Sequence, residues 1–173
     1  RGIFPDALDE DTAYAVGRST ARFLGARCLA VGRDARSHSP GLSAALIRGI
    51  LDEGVDVRDL GLISTPVLYF GVERLGVGGG IMVTASHNPA RYNGFKICRE
   101  HAIPVGEATG LREIEAGTAG RADAPDRRGK ATCEEVEILS HYADHVLGVA
   151  EGARESRLRV AIDCGNGMAS VGL

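Results

Sequence analysis

Apolar positions along this chain recur first at one period and then at another, and the changes of period set out a run of alternating helices and strands. Between Asp11 and Leu24, the residues Ala13, Val16, Thr20 and Phe23 or Leu24 fall at helical spacing, and Gly25 supplies a stop. The apolar run Cys28 to Val31 predicts a first strand. Ser39-Pro40 then reads as a helix start, with a side chain able to cap and a proline in the first turn; Leu42, Leu46 and Ile50 form the buried stripe and Gly54 the end. A second strand is predicted around Val55 to Leu60, and Thr65-Pro66 repeats the start signal for a shorter helix through Leu68 and Leu75 to Gly76. Gly78-Gly79-Gly80 leads into Ile81-Met82-Val83, a short buried strand, and Phe95 to Cys98 forms a fourth. Only about ten residues separate the last two strands, too few for a helical crossover, so as neighbours they must run antiparallel.

The pattern continues with a short helix over Gly106 to Ala116 and a loop rich in Gly, Ala, Arg and Asp over Gly117 to Lys130. Thr132 and Glu135 have the spacing of a capping box for a long helix through Val136, Leu139, Tyr142 and Val146. Glu151 to Arg157 reads as a linker before a strand at Leu158 to Asp163. The alternation predicts an α/β fold with a mixed, mostly parallel sheet. The division is residues 1–150 as the first domain, 151–157 as linker and 158–173 as the first strand and turn of a second, truncated α/β domain.

Composition narrows the classes. At 173 residues, 44% hydrophobic and a formal net charge of -3, the chain can bury a substantial core in one domain, and its charge argues against nucleic acid as a partner. Arg127-Arg128-Gly129-Lys130 is the densest basic cluster and reads as a solvated loop. No apolar run reaches the ~20 residues of a membrane span. Cys28, Cys98, Cys133 and Cys164 lie far apart without a CxxC pair, which speaks against a zinc cluster and suits a reducing, cytoplasmic setting. The chain opens on Arg1 rather than Met, so its true beginning is expected to be missing.

Chemistry concentrates after the third strand, at Thr84-Ala85-Ser86-His87-Asn88-Pro89, with Tyr92-Asn93-Gly94-Phe95-Lys96 following. Ser86 is expected on the loop at a strand's carboxyl end, where ligands bind in open α/β sheets. A serine hydroxyl is a weak nucleophile and needs a base, a metal or a phosphate already attached. The neighbours suit the phosphate: His87 can donate to a phosphate oxygen or move a proton, and Asn88 can donate an amide hydrogen bond. Lys96 offers a compact cation, which Gly94 is expected to bring back by a tight turn. Only Lys96 and Lys130 are lysine among the 20 basic residues. Pro89 stiffens the loop.

Other chemistries fit less well. The same loop could be a plain turn, since Ser, Asn and Pro all favour turns. A serine hydrolase would need a Gly-x-Ser-x-Gly elbow, whereas Ala85 and His87 flank Ser86, and adjacent side chains of an extended chain point apart. Glu137, His141 and His145 recur four residues apart and could face one metal on a helix, without the glutamate of zinc-protease helices. Gly165-Asn166-Gly167 lacks the third glycine of a dinucleotide fingerprint, Ser170 standing there, and Gly129-Lys130-Ala131 fails the phosphate-loop pattern.

The string Thr84 to Pro89, its spacing to Tyr92-Asn93-Gly94-Phe95-Lys96 and the preceding Gly80-Ile81-Met82-Val83 resemble the active-site serine loop of the α-D-phosphohexomutases. That family includes phosphoglucomutases, phosphomannomutases and phosphoglucosamine mutases. Arg1-Gly2 resembles the end of its Tyr-Asp-Ile-Arg-Gly opening, and Val31-Gly32-Arg33-Asp34-Ala35-Arg36 with Ser39-Pro40 its Gly-Arg-Asp segment, His38 replacing a more usual serine. Val160 to Gly167 resembles the first strand of its second domain.

The resemblance implies a three-layer α/β/α domain bearing a phosphoserine. It implies that Ser86 gives phosphate to carbon one or six of a hexose phosphate, through a bisphosphorylated sugar. Lys96 and Arg1 would neutralise or orient the transferring group, His87 would contact it or assist proton transfer, and Asn88 would contact substrate. Magnesium would bind an oxygen on Ser86, and hexose 1,6-bisphosphate would act as activator. The family's Asp-Gly-Asp-Gly-Asp-Arg metal loop does not occur in this sequence, so the chain is expected to be a piece of a larger mutase, inactive without the remaining domains. The serine loop looks more like that of phosphomannomutase and phosphoglucomutase members than of phosphoglucosamine mutases. A non-catalytic sugar-phosphate binding domain is the alternative.

Overall fold

The computed structural model of the chain describes residues 1–119, 130–150, 159–165 and 167–171. In chain order the elements are β1 (Gly2–Ile3), α1 (Glu10–Leu24), β2 (Cys28–Arg33), α2 (Ser39–Asp52), β3 (Asp56–Leu62), α3 (Thr65–Leu75) and β4 (Gly79–Val83). After them come β5 (Tyr92–Asn93), β6 (Phe95–Arg99), α4 (Leu111–Ala119), β7 (Cys133–Glu135) and α5 (Leu139–Val149). Helix α1 starts where Asp9 accepts from the Thr12 amide at 2.8 Å, and ends at Gly25 in the left-handed conformation.

The main sheet has the order β6-β4-β2-β3-β7. Strands β2, β3, β4 and β7 are parallel, and β6 runs antiparallel to β4, as the short connection requires. Side chains alternate across it: Leu29, Val31, Ile81 and Val83 pack into one core with Leu42, Leu46 and Ile50 of α2, Ala13 and Ala21 of α1 and Ile114 of α4. Ala30 and Met82 face a second core, with Val67, Leu68 and Val72 of α3 and Tyr142 of α5 against it. The sheet is covered on both faces, which makes the three layers of an α/β/α domain. Helices α1 and α2 approach closely because Gly17 and Gly49 lack side chains: a Cβ at either would strike the Leu46 or the Tyr14 carbonyl.

Several expectations are corrected. Ser39 does not cap α2: His38 is the N-cap residue and makes no side-chain cap bond, because the Ser39 hydroxyl donates to Asp34 instead. Thr132 and Glu135 form no capping box. Thr132 bonds the Asp56 carboxylate through its amide at 2.7 Å and its hydroxyl at 3.0 Å, which lays Cys133–Glu135 along the edge of β3, so the helix starts only at Leu139. Glu137 therefore precedes α5 and bonds Ser140, and the His145 ring lies tilted against Phe70 with centroids 5.1 Å apart. Among the described residues no group of three His, Cys, Asp or Glu could hold a metal. Residues 159–163 pair with no strand, and Val160 and Ile162 lie exposed. The loop expected from Gly117 falls largely, and the linker of residues 151–157 wholly, outside the described residues. The four cysteines form no disulfide. No helix among the described residues is long and apolar enough to cross a membrane.

Candidate functional site

Strand β2 lies between β3 and β4, although β3 follows it directly and β4 comes later. The chain leaves β2 through α2 on one face and returns to β4 through α3 on the other, so the crossovers diverge between β2 and β4. This is the switch point at which open α/β sheets bind ligands. A cleft of about 740 Å³ opens there, lined by Asp34 and Arg36 after β2, Ser64 to Pro66 after β3, and Thr84, Ser86, His87 and Asn88 after β4. Lys96 reaches the same cleft from β6.

Ser86 is exposed and has φ 57°, the left-handed region that side-chain-bearing residues seldom enter. The expectation that Ser86 and His87 point apart is therefore not met. With Ser86 turned out of extended geometry, its Oγ lies 3.5 Å from His87 Nδ1, the outer limit of a hydrogen bond. Lys96 is half-buried, and no other described residue engages its ammonium by a hydrogen bond or ion pair. Its register opposite Met82, with Phe95 opposite Val83, follows from the antiparallel β4–β6 pairing.

The loop is tied down from within. Asn88 closes a turn by donating its backbone N–H at 3.1 Å and its side-chain amide at 2.7 Å to the Ala85 carbonyl, so one of its two amide hydrogens is committed to the loop. Arg1 reaches this region because β1 pairs antiparallel with β5, Gly2 opposite Asn93. A Cβ on Gly94 would stand 3.0 Å from Arg1 Cα, and Arg1 is not among the residues lining the cleft. Gly94 thus serves close approach: its φ is not left-handed, and no tight turn returns Lys96.

Sequence reasoning missed a buried network under the loop. Asp34, 5% exposed, accepts hydrogen bonds from the Ser39 and Thr84 hydroxyls at 2.6 and 2.7 Å and from the Arg36 backbone and Nε at 3.1 and 3.2 Å. The other Arg36 donors go to the carbonyls of Ser86, Asn88, Pro89 and Tyr92 at 2.7 to 3.1 Å. Asn93, fully buried, donates to Ser39 Oγ and to His38 Nδ1, both at 2.9 Å. An amide NH2 only donates, so Nδ1 accepts and His38 Nε2 carries the hydrogen given to the Ala90 carbonyl at 3.0 Å. The available signal was the charged Asp34-x-Arg36 pair at a strand end, where a buried acid would be costly unless paired.

The whole arrangement offers an exposed hydroxyl, an imidazole within reach of it and an uncommitted ammonium in one cleft. It can hold a phosphate on Ser86 and neutralise it. It does not make a divalent-metal site, since Asp34 is buried and has both carboxylate oxygens occupied, and the described residues contain no cluster of ligands.

Comparison with known proteins places these features in a wider set. The family described as phosphoglucomutase/phosphomannomutase, alpha/beta/alpha domain I, matches residues 1–124. A phosphomannomutase of Escherichia coli is 42% identical over 171 residues, covering 98% of this chain and 38% of its own length. A phosphomannomutase/phosphoglucomutase of Pseudomonas aeruginosa is 39% identical over 175 residues, 99% of this chain and 36% of its own. The crystal structure of a phosphoglucomutase/phosphomannomutase family protein from Burkholderia thailandensis superposes with a TM-score of 0.71 at 33% identity, over 85% of this chain and 33% of that one. The chain thus spans less than two fifths of the length of these relatives.

Proposed function

Because this chain belongs to the phosphoglucomutase/phosphomannomutase family, we propose that Ser86 carries the phosphate by which a hexose phosphate is isomerised between its carbon-one and carbon-six esters. The observation that carries this reading is the exposed Ser86 hydroxyl in the switch-point cleft that also holds the unengaged Lys96 ammonium.

In the forward half, a sugar hydroxyl oxygen bonds to the phosphorus on Ser86 as the phosphorus–Oγ bond breaks. The sugar hydroxyl releases its proton and Oγ gains one, leaving a bisphosphorylated sugar. His87, 3.5 Å from Oγ, supports delivery of that proton. In the second half the other phosphate returns to Ser86, and the net change is the position of one phosphate. Lys96 neutralises the transferring group, which is most of what phosphoryl transfer asks of a protein. Arg1, brought next to Gly94 by the pairing of Gly2 with Asn93, would orient the transferring group. Asn88 retains one amide hydrogen for a sugar or phosphate oxygen. Hexose 1,6-bisphosphate would recharge a serine that has lost its phosphate. A magnesium ion would take one oxygen of the Ser86 phosphate and its other ligands from beyond the described residues, so no step here runs through it.

Intact mass of the full-length polypeptide carrying this chain, after exposure to hexose 1,6-bisphosphate, should show one added phosphate mapping to Ser86. Ser86→Ala should abolish both the mass increase and turnover. Absence of phosphate on Ser86 in the active wild-type polypeptide would sink the reading, and absence of both phosphate and turnover would favour a sugar-phosphate binding domain.

A further inference from the structure

Arg36 lines the cleft, and an arginine facing a phosphate-bearing serine invites assignment as a phosphate ligand. Its donors are committed elsewhere. A guanidinium has five N–H groups. Nε donates to Asp34 Oδ2, Nη1 to the Pro89 and Tyr92 carbonyls, and Nη2 to the Ser86 and Asn88 carbonyls. No donor is left over for an anion, so the role of Arg36 is the loop itself.

Followed atom by atom, these bonds close a ring around Ser86. The Ser86 N–H donates to Thr84 Oγ1 at 2.9 Å, and the Thr84 hydroxyl donates to Asp34 Oδ2 at 2.7 Å. The same Asp34 oxygen accepts from Arg36 Nε at 3.2 Å, and Arg36 Nη2 returns to the Ser86 carbonyl at 2.9 Å. Both backbone polar groups of Ser86 are thereby held by groups anchored on one buried carboxylate. Asp34 is itself fixed to β4, its N–H donating to the Val83 carbonyl at 3.0 Å. A non-glycine residue in the left-handed region is strained and persists only where its surroundings hold it. Here the ring does so, and the conformation it holds brings Oγ within 3.5 Å of His87.

We propose that Asp34, Thr84 and Arg36 are positioning residues for phosphoryl transfer, acting through the backbone of Ser86 to aim its Oγ into the cleft. This rests on the reading of Ser86 as phosphate carrier. Every Arg36 side-chain donor and both Asp34 carboxylate oxygens are taken up within the protein, so loss of the ring should lower the rate of transfer and leave substrate affinity alone.

Steady-state kinetics of the full-length polypeptide test this with Thr84→Val, which keeps the shape and removes the hydroxyl, and Thr84→Ser, which restores it. Misplacement of a reacting group by about an ångström costs on the order of 100-fold. Thr84→Val should therefore lower kcat about 10- to 100-fold with KM for hexose phosphate within about twofold, and Thr84→Ser should return kcat to within about threefold. Arg36→Lys reports independently: one ammonium cannot span four carbonyls, and the same split is expected. Wild-type kcat in either Thr84→Val or Arg36→Lys, a loss matched by the fraction unfolded, or failure of Thr84→Ser to rescue would overturn the proposal. Ser86→Ala run alongside separates the two ideas. Should it be inactive while Thr84→Val is normal, the ring fails alone; should it be active, both fall.

Discussion

At the scale of single residues, Lys96 is the sharpest case of a side chain whose chemistry shows in its type and whose use shows only in its surroundings. It is one of two lysines among the 20 basic residues, and no other described residue engages it, whereas Arg36 in the same cleft is consumed by the loop. A charge-assisted bond to a transferring phosphate is worth roughly 2 to 4 kcal/mol in a preorganised site. Lys96→Ala in the full-length polypeptide should accordingly lower kcat/KM about 100-fold, and Lys96→Arg should recover only part, because a planar fork does not replace a compact ammonium. Rate measurements across both variants check this; an alanine variant within threefold of wild type would count against it. Ser86, His87, Asn88 and Lys96 were legible because they stand close together in one string with the right chemistry. Asp34 and Arg36 were not, since they meet Thr84 and Ser86 across 50 residues of sequence and look locally like a turn. The sense of the Ser86–His87 pair was also hidden, because a φ of 57° at serine is imposed by that distant network.

At the scale of elements, the helices with strong periodicity and glycine stops lay close to where the pattern put them, and the two misread caps share a cause. Ser39 and Thr132 look like helix caps, yet each hydroxyl bonds an aspartate instead, Asp34 five residues before Ser39 and Asp56 on the neighbouring strand for Thr132, and capping loses to that partner. The α1–α2 contact shows a further pairing that no local pattern reveals. Glu53, at the end of α2, accepts from Arg18 Nε at 2.6 Å and Arg22 Nε at 2.8 Å, both on α1. Burial pushes the Glu53 carboxyl up, but the hydrogen bonds from Arg22 and Arg18 outweigh it and hold it below its ordinary 4.5. A carboxyl depressed by folding contributes stability that is fully present above its unfolded-state pKa and is lost as pH falls through the folded-state one. Thermal melts should therefore show stability declining as pH drops below 4.5, with a shallower decline in Glu53→Gln. At neutral pH that variant should be less stable by roughly 2 kcal/mol, the worth of charge-assisted bonds to a largely buried acid. Superimposable pH profiles for the two proteins would show that the triad does not couple the helices.

At the scale of the whole molecule, strand order was beyond the reach of the sequence, since periodicity finds strands and says nothing of which ones pair. The order β6-β4-β2-β3-β7 is what places Asp34 beside Thr84 and opens the cleft at the divergence of the crossovers. That cleft has Ser86, His87 and Lys96 on the β4 and β6 side, and the described residues around it present no cluster of metal ligands. The relatives from Escherichia coli and Pseudomonas aeruginosa extend far beyond the part this chain matches, 38% and 36% of their lengths. Phosphoryl transfer in an open cleft would meet water as readily as sugar, and the charge stabilisation it needs is strong only where water is excluded. The chain assayed alone with hexose phosphate and hexose 1,6-bisphosphate should therefore turn over at less than ~1% of the rate of the full-length polypeptide, a loss of ~3 kcal/mol or more in transition-state stabilisation. A cooperative thermal melt recorded on the same sample distinguishes an incomplete site from an unfolded one, and near-normal turnover by the chain alone would show that the cleft between β2 and β4 already contains all the chemistry the reaction needs.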